Sequence, residues 1–136
     1  MTPVLADTGF LVALFDSADA LAAAAALYLR RHQHPLAATS ANVVETCFFL
    51  RPPAKADLLT WIRRGGLSVV EVPVSAYAQI ELTLGKCADH DIDFADAALV
   101  WLAGATGASR ILTVDRKDFG MFRLKGGKRF TLIDWF

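Results

Sequence analysis

The chain alternates short, continuous apolar runs with longer segments in which apolar residues recur at helical spacing. The apolar runs have the length and composition of buried strands, and they lie at residues 3–6, 36–38, 67–72, 110–114 and 130–133. The segments between them predict helices at about residues 10–15, 20–32, 40–50, 53–64, 75–85, 94–106 and 117–122. Strands that alternate with helices are typical of an α/β sandwich with a mostly parallel central sheet flanked by helices.

Side chains that cap helices and residues that break them set the expected boundaries. The residues predicted to cap or open helices are Ser17, Asp19, Pro53, Ser75, Asp93 and Asp118. Gly65 and Gly66 interrupt the chain, and Gly107 is predicted to end the helix that Asp93 begins. Thr8 and Gly9 are predicted to form a tight turn after the first strand.

Length and composition limit the class of protein. The chain has 136 residues, which predicts one domain over residues 1–136, and its 54% hydrophobic content excludes a mostly disordered chain. No apolar run reaches the roughly 20 residues of a membrane span. The first residues carry no Lys or Arg, so a secretory signal is not expected. A cytoplasmic location is expected instead. Cys47 and Cys87 are expected to be reduced thiols.

Charge is distributed unevenly, although the formal net charge is zero. Acidic residues cluster in one window at Asp89, Asp91, Asp93 and Asp96. Basic residues are concentrated in the last quarter of the chain, at Arg110, Arg116, Lys117, Arg123, Lys125, Lys128 and Arg129. Local fields of opposite sign therefore matter more for possible partners than the total charge does.

Several acidic residues are expected to meet at one edge of the sheet. Asp7 follows the first strand and Asp115 follows the fourth, so both lie at the carboxyl edge of a parallel sheet, where sites form. Asp96 opens the helix that leads to Asp115, and Glu45 is nearly surrounded by apolar neighbours. Each carboxylate alone fits a helix cap or a turn. Together they would repel one another unless a cation is present.

Oxygen ligands of this kind suit a hard divalent cation. Mg²⁺ uses few protein carboxylates and keeps waters for a phosphate substrate. Such a site supports phosphodiester hydrolysis, because a bound metal lowers the pKa of an attacking water and a second metal stabilises the leaving oxygen. The sequence leaves open whether one or two metals bind.

The motifs that carry these acids resemble those of the PIN-domain nucleases, and within them the VapC-type toxins of prokaryotic toxin–antitoxin pairs. The matching features are Asp7 after an apolar strand, Glu45 in a helix, Asp93-Phe-Ala-Asp96-Ala-Ala, and Leu112-Thr113-Val-Asp115-Arg-Lys-Asp118-Phe119. The resemblance covers nearly the whole chain and implies a PIN-like three-layer sandwich. It also implies endoribonuclease activity, a homodimer and inhibition by a VapB-type antitoxin.

The resemblance assigns roles to individual residues. Asp7, Glu45, Asp96 and Asp115 match the family's acidic quartet around Mg²⁺ or Mn²⁺. Supporting positions are Asp93, which is a possible further ligand, and Thr8, Thr113 and Asp118. Gly9 departs from the family, which usually has Ser or another small residue there. Beside such a site, Arg116, Lys117, Arg123 and Lys125 are predicted to contact the RNA backbone.

Other classes of protein fit the sequence less well. The triplet Asp7-Thr8-Gly9 occurs in aspartic proteases, but their chemistry needs an all-β scaffold and leaves the other acids unexplained. A catalytically silent PIN-fold module that binds RNA or protein, and an orphan housekeeping nuclease without an antitoxin, remain alternatives. A phosphotransfer protein with Asp7 as nucleophile is a further one. Which RNA is cleaved, whether an antitoxin exists and whether Asp93 is a ligand are left open by the sequence.

Overall fold

The computed structural model describes residues 2–136, so Met1 of the predicted domain lies outside the described residues. The strands of its sheet are β1 (Val4–Ala6), β2 (Leu36–Thr39), β3 (Ser68–Val70), β4 (Arg110–Leu112) and β5 (Thr131–Leu132). Its helices are α1 (Thr8–Phe15), α2 (Ala22–Arg31), α3 (Ser40–Phe49), α4 (Pro52–Arg63), α5 (Tyr77–Lys86), α6 (Phe94–Thr106) and α7 (Arg116–Met121). Each predicted strand and helix is present, with shifted ends.

Every strand pair in the sheet is parallel, and the strand order is β3-β2-β1-β4-β5. Leu5 in the central strand β1 lies opposite both Ala37 of β2 and Ile111 of β4. The chain builds one side of the sheet first and then returns to the other side of β1. The carboxyl ends of β1 and β4 therefore form a topological switch point, which is where ligands of open α/β sheets bind.

Helices cover both faces of the sheet, as the sandwich prediction requires. Alternate residues of a strand face opposite sides. Val4 belongs to one core cluster with Phe10 of α1 and Tyr28 of α2. Leu5 belongs to a second cluster, which contains Leu99 of α6. The result is a three-layer α/β sandwich, and within residues 2–136 no helix is long and apolar enough to cross a membrane.

The turn before α2 differs from its prediction. α2 follows Leu21, which makes no side-chain capping bond, so Ser17 and Asp19 are not its N-caps. Asp19 instead accepts a hydrogen bond from the backbone N–H of Leu21 at 2.8 Å, and Asp16 accepts one from Ala18 at 3.0 Å. These side chains stabilise the turn itself, because Asp bonds readily to backbone groups two residues on.

Four other helix starts are also displaced. Asp115 rather than Asp118 caps α7, since its carboxylate accepts the backbone N–H of Asp118 at 3.1 Å. α1 begins directly at Thr8, where a tight turn is predicted, because Asp7 caps it. α4 begins at Pro52 rather than Pro53, and a short 3₁₀ turn, Val74–Ala76, precedes α5. Gly65, with φ of 93°, forms the exposed turn between α4 and β3.

Candidate active site

Asp7 is a buried carboxylate at the end of β1, only 5% exposed. Its Oδ1 atom accepts the backbone N–H of Thr8 at 2.8 Å, and its Oδ2 atom accepts the hydroxyl of Thr113 at 2.8 Å. The backbone N–H of Asp115 donates to Thr113 Oγ1 at 2.9 Å. Because a backbone N–H can only donate, the single hydroxyl proton of Thr113 is directed to Asp7. Thr113, at the end of β4, thus fixes the orientation of the Asp7 carboxylate at the end of β1.

Glu45 lies on α3, one turn after its start, and is half-buried. A capping box between Thr39 and Asn42 fixes the first turn of α3. The Glu45 carboxyl lines one cavity with Thr8 and Asp93, which lie at the starts of α1 and α6. Glu45 therefore faces the N-termini of both helices.

Asp93 and Asp96 form a reciprocal capping box at the start of α6. Asp93 Oδ1 accepts the backbone N–H of Asp96 at 3.0 Å, and Asp96 Oδ2 accepts the backbone N–H of Asp93 at 3.1 Å. The predicted cap at Asp93 is confirmed. These two bonds satisfy backbone N–H groups that have no partner within the helix, and they hold the two carboxylates beside one another.

Asp118 and His90 lie behind Asp115. A hydrogen bond with Asp115, together with burial, raises the pKa of Asp118. His90 Nδ1 is 3.7 Å from Asp118 Oδ1. These contacts place Asp118 against Asp115 and outside the lining of the acidic cavity described next.

The predicted acids surround one open cavity of about 620 Å³ at the switch point. Its acidic lining consists of Asp7, Asp19, Glu45, Asp91, Asp93, Asp96 and Asp115. Its apolar lining includes Val12, Leu21, Phe49 and Val114. The sequence alone does not identify these apolar lining residues. Phe49 follows Glu45 by one helical turn, however, and so lies on the same face of α3. Acids from four separate parts of the chain thus meet in one place.

Crowding and burial change the acidity of these groups. Burial raises the pKa of Asp7 to about 6 despite the hydrogen bonds from Thr113 and Thr8. Burial and the hydrogen bond with Asp93 raise the pKa of Glu45 to about 7. Burial and the charge of Asp7 raise the pKa of Asp96 to about 8. Burial opposes ionisation of Asp93, but hydrogen bonds with Glu45 and Asp96 lower its pKa.

The donor chemistry of the cavity fits a hard divalent cation. Most of its polar groups are carboxylate oxygens, which Mg²⁺ and Mn²⁺ prefer. Burial, with a further contribution from neighbouring carboxylates, raises the pKa of Asp7 and Asp96, and a bound cation would favour their ionised forms. Within residues 2–136, no three acidic, imidazole or thiol side chains are yet arranged to hold a metal ion.

The basic residues predicted to bind RNA do not line this cavity. Arg116 Nη2 contacts Asp134 Oδ1 at 3.2 Å, and its guanidinium lies 4.5 Å from the centre of the Phe136 ring. Lys117 is exposed. Arg123 and Lys125 line a separate groove together with Trp101, Gln79 and Gly104. Two of the four basic residues are thus close to Asp115 in the chain, and two lie along the later part of α6.

The close approach of the loop after β4 explains why a glycine occupies position 9. A Cβ atom added at Gly9 would lie 2.4 Å from Cγ2 of Val114. Such a distance is not tolerated without movement, and Val114 lies between Thr113 and Asp115. A serine at this position, as in the family pattern, would meet the same methyl group.

We expect Gly9→Ala to destabilise the protein by about 1–3 kcal/mol, the usual cost of overpacking. The added methyl must displace Val114. Thermal unfolding measures the effect. In Gly9→Ala with Val114→Ala the clash is gone, and this double variant should regain stability relative to Gly9→Ala. An unchanged Tm for the single variant would contradict the steric explanation.

Comparison with known proteins agrees with the fold. The PIN domain family model matches residues 4–123, and the chain therefore belongs to the PIN-domain family. It is 29% identical over 134 residues to Ribonuclease VapC26 of Mycobacterium tuberculosis, covering 96% of this chain and 99% of that protein. Its fold is similar to the crystal structure of Mycobacterium tuberculosis VapC20, a Sarcin-Ricin loop cleaving toxin. That match has a TM-score of 0.72 at 18% identity and covers 84% of this chain and 91% of that one.

Proposed function

We propose that this protein is a Mg²⁺- or Mn²⁺-dependent endoribonuclease that acts as the toxin of a toxin–antitoxin pair. The observation that carries the proposal is the convergence of Asp7, Glu45, Asp96 and Asp115 on one cavity at the sheet's switch point. Membership of the PIN family and the likeness to Ribonuclease VapC26 support it. We propose that residues 1–136 work as one nuclease domain in the cytoplasm.

The four carboxylates are the proposed metal ligands, with Asp93 as a fifth candidate that also orients Glu45. When bound, a divalent ion supplies charge for the scissile phosphate and makes water a stronger acid. The protein's own groups prepare for this: Thr113 holds Asp7, and the capping box holds Asp96 against Asp93. The apolar wall of Val12, Leu21 and Phe49 lowers the local polarity beside them.

The RNA backbone needs cationic contacts near an acidic site. Arg116 and Lys117 follow Asp115 directly and are proposed to contact phosphates close to the cut. Arg123 and Lys125, beside Trp101, are proposed to contact more distant phosphates. Charge-reversal at each pair should weaken RNA binding and reduce its dependence on salt.

A cleavage assay tests the main proposal. Purified protein is incubated with transfer RNA, ribosomal RNA and messenger RNA pools in Mg²⁺, in Mn²⁺ and in EDTA. Internal cuts are expected with either ion and none in EDTA. Failure to cut every pool with both ions would contradict the proposal and favour a silent RNA- or protein-binding module.

The homodimer is proposed on an exposed apolar patch beside the acidic cavity. We define the apolar patch as Val44, Phe48, Tyr77 and Phe94, which are 59%, 80%, 47% and 39% exposed. Phe48, Val44 and Phe94 line one shallow depression, and Tyr77 packs edge-on against Phe94. Glu45 and Asp93 line both this depression and the acidic cavity. A second copy seated here would place the acidic cavity of each copy beside the interface.

The proposed partner that restrains the nuclease is a VapB-type antitoxin. A tail that enters the open acidic cavity would block RNA and offer apolar contacts to Leu21 and Phe49. Co-expression with the product of a small adjacent reading frame should yield a stable complex that no longer cleaves RNA. A complex that cleaves RNA at the rate of the free protein would contradict this part of the proposal and favour an orphan nuclease.

We expect the metal-free protein to lose stability as the pH rises from about 4 to about 8. Asp7, Glu45 and Asp96 have raised pKa values when folded, so the folded state binds more protons than the unfolded chain in this range. The stabilisation that these bound protons give is complete below the pKa values of the unfolded chain. It is lost as the pH rises through the pKa values of the folded protein. Tm measured in EDTA at pH 5 and at pH 8 checks the direction.

Added Mn²⁺ should offset this loss at pH 8, by about 2.7 kcal/mol at 100 times the Kd. At pH 5 the ion should help less, because the protons that occupy the carboxylates compete with it. A Tm in EDTA that rises between pH 5 and pH 8, or that Mn²⁺ leaves unchanged at pH 8, would argue against a crowded acidic metal site.

A further inference from the structure

The segment after β5 runs beside the end of β4 and continues its hydrogen bonding with a side chain. The backbone N–H of Ile133 donates to the carbonyl of Ile111 at 3.0 Å. Two residues further along both segments, the indole N–H of Trp135 donates to the carbonyl of Thr113 at 3.1 Å. The indole thus takes the place of the next backbone donor, just beyond Leu112, where β4 ends.

The indole of Trp135 is held by the core of the domain. Trp135 is buried, and its ring packs edge-on against Phe10 of α1, with ring centroids 5.0 Å apart and an interplanar angle of 81°. Thr113 is buried as well, so its carbonyl needs a donor within the protein. The Thr113 carbonyl is therefore fixed by a rigid side chain whose own position the core determines.

Thr113 connects this indole to two proposed metal ligands. Its Oγ1 atom donates to Asp7 Oδ2 at 2.8 Å and accepts the backbone N–H of Asp115 at 2.9 Å. The peptide bond is planar, so a rotation that moves the Thr113 carbonyl also moves the chain that follows, including the Asp115 N–H. A fixed carbonyl therefore keeps Asp115 in reach of the Thr113 hydroxyl.

The neighbours of Trp135 contact the other side of Asp115. Asp134 Oδ1 lies 3.2 Å from Arg116 Nη2, and the Phe136 ring centre lies 4.5 Å from the Arg116 guanidinium. Asp115 thus lies between two residues that the segment after β5 contacts. Because the contacts of Arg116 are exposed, they contribute little, and the buried bond of Trp135 is the one that can fix the loop.

We propose that Trp135 is a positioning residue of the site: its indole N–H fixes the Thr113 carbonyl and so keeps Asp7 and Asp115 arranged to bind metal. Trp135 lies outside residues 4–123, the part that the PIN family model matches. The inference rests on the proposed nuclease function for the role of the metal. The hydrogen bonds belong to the metal-free protein, so they can be tested separately.

Hydrogen exchange of the metal-free protein, followed by nuclear magnetic resonance, tests the effect on the loop. Trp135→Phe keeps an aromatic ring in the core but lacks the N–H. We expect the Asp115 amide proton to exchange about tenfold faster relative to that of Asp7, which donates to the carbonyl of Leu112 at 3.0 Å. Taking this ratio removes any general loss of stability, because such a loss would speed both amides.

Trp61→Phe is the matched control. Trp61 packs against the same core cluster as Trp135, but it lies on α4 and contacts Phe15. It should leave the ratio of the two exchange rates at its wild-type value. An unchanged ratio in Trp135→Phe, or an equal change in both variants, would overturn the proposal whether or not the protein cleaves RNA.

A double-mutant cycle on metal affinity tests the link to the site. Trp135→Phe should weaken Mn²⁺ binding by about tenfold, the lower end of the usual effect of residues that orient metal ligands. In a Thr113→Val background the same substitution should cost less, because the indole acts through Thr113. Fully additive losses would overturn the proposal and leave Trp135 as a core residue only.

Cleavage kinetics separate positioning from contact with the substrate. RNA cleavage by Trp135→Phe should recover at saturating Mn²⁺, while the KM for RNA stays unchanged. A raised KM with unchanged Mn²⁺ affinity would overturn the proposal. If the wild-type protein binds no divalent ion, the proposed nuclease function fails, and the exchange ratio still decides whether Trp135 fixes Asp115.

A second measurement applies if Trp135→Phe does not fold. The indole proton signal of Trp135 should move in Thr113→Val, which loses the hydroxyl that ties the loop to Asp7. It should stay near its wild-type position in Thr113→Ser, which keeps that hydroxyl. An indole signal that Thr113→Val leaves unmoved would overturn the proposal.

Discussion

Asp96→Asn should lower metal-dependent RNA cleavage by at least about 100-fold while the protein remains folded. Asn retains an oxygen that can accept the backbone N–H of Asp93, so the capping box at the start of α6 survives. What is lost is a carboxylate that is a proposed metal ligand, and burial with the charge of Asp7 raises its pKa. Removing a ligand should cost more than the 10–100-fold typical of residues that only orient one.

Asp91→Asn is the matched control for this substitution. Asp91 lines the same cavity and has the same side chain as Asp96, but it is not one of the four proposed ligands. Single-turnover cleavage and Mn²⁺ titration should show near wild-type behaviour for Asp91→Asn and a large loss for Asp96→Asn. Equal rates for the two variants would mean that the cavity acts through its overall charge and that Asp96 has no ligand role.

Phe48→Glu should convert the proposed homodimer into a monomer. Phe48 is 80% exposed on α3, so the substitution removes no core contact and the monomer should stay folded. In the dimer the new carboxylate would be buried without a partner, at a cost of about 3 kcal/mol or more. That cost corresponds to roughly a 100-fold weaker dimer or worse. Analytical ultracentrifugation over a range of concentrations measures it.

Leu59→Glu provides the comparison, because Leu59 is 53% exposed but lies on α4, outside the apolar patch. It should leave the sedimentation behaviour unchanged. If wild type is monomeric at high concentration, or if both variants sediment like wild type, the apolar patch is not a self-association surface. A cleavage assay on Phe48→Glu then shows whether the acidic cavity of a monomer is sufficient for the proposed activity.

The strands and helices follow from the sequence because their signals are local. Residues 110–112 read as a strand through their own composition, and Asp93 with Gly107 marks both ends of α6. The strand order does not follow in this way. Placing β4 beside β1 depends on contacts between Leu5 and Ile111, which are far apart in the chain.

The candidate site could be predicted as a set of residues but not as a hydrogen-bond network. Acids at strand and helix ends are visible in the sequence, and the parallel sheet brings them to one edge. The choice of Asp115 over Asp118 as the cap of α7 depends on where β4 stops, which is uncertain by a few residues. The hydrogen bond between Asn42 and Thr8 could not be predicted, since the two residues are 34 positions apart in the chain.

The exposed turn at Gly65 divides the proposed metal ligands evenly. Asp7 and Glu45 precede this turn, and Asp96 and Asp115 follow it. Two fragments produced by opening the chain there would each carry half of a ligand set, and neither would form the switch point between β1 and β4. A split version of this protein would therefore lack the proposed nuclease site until its two halves reassemble, and recovery of the proposed activity would then report their encounter.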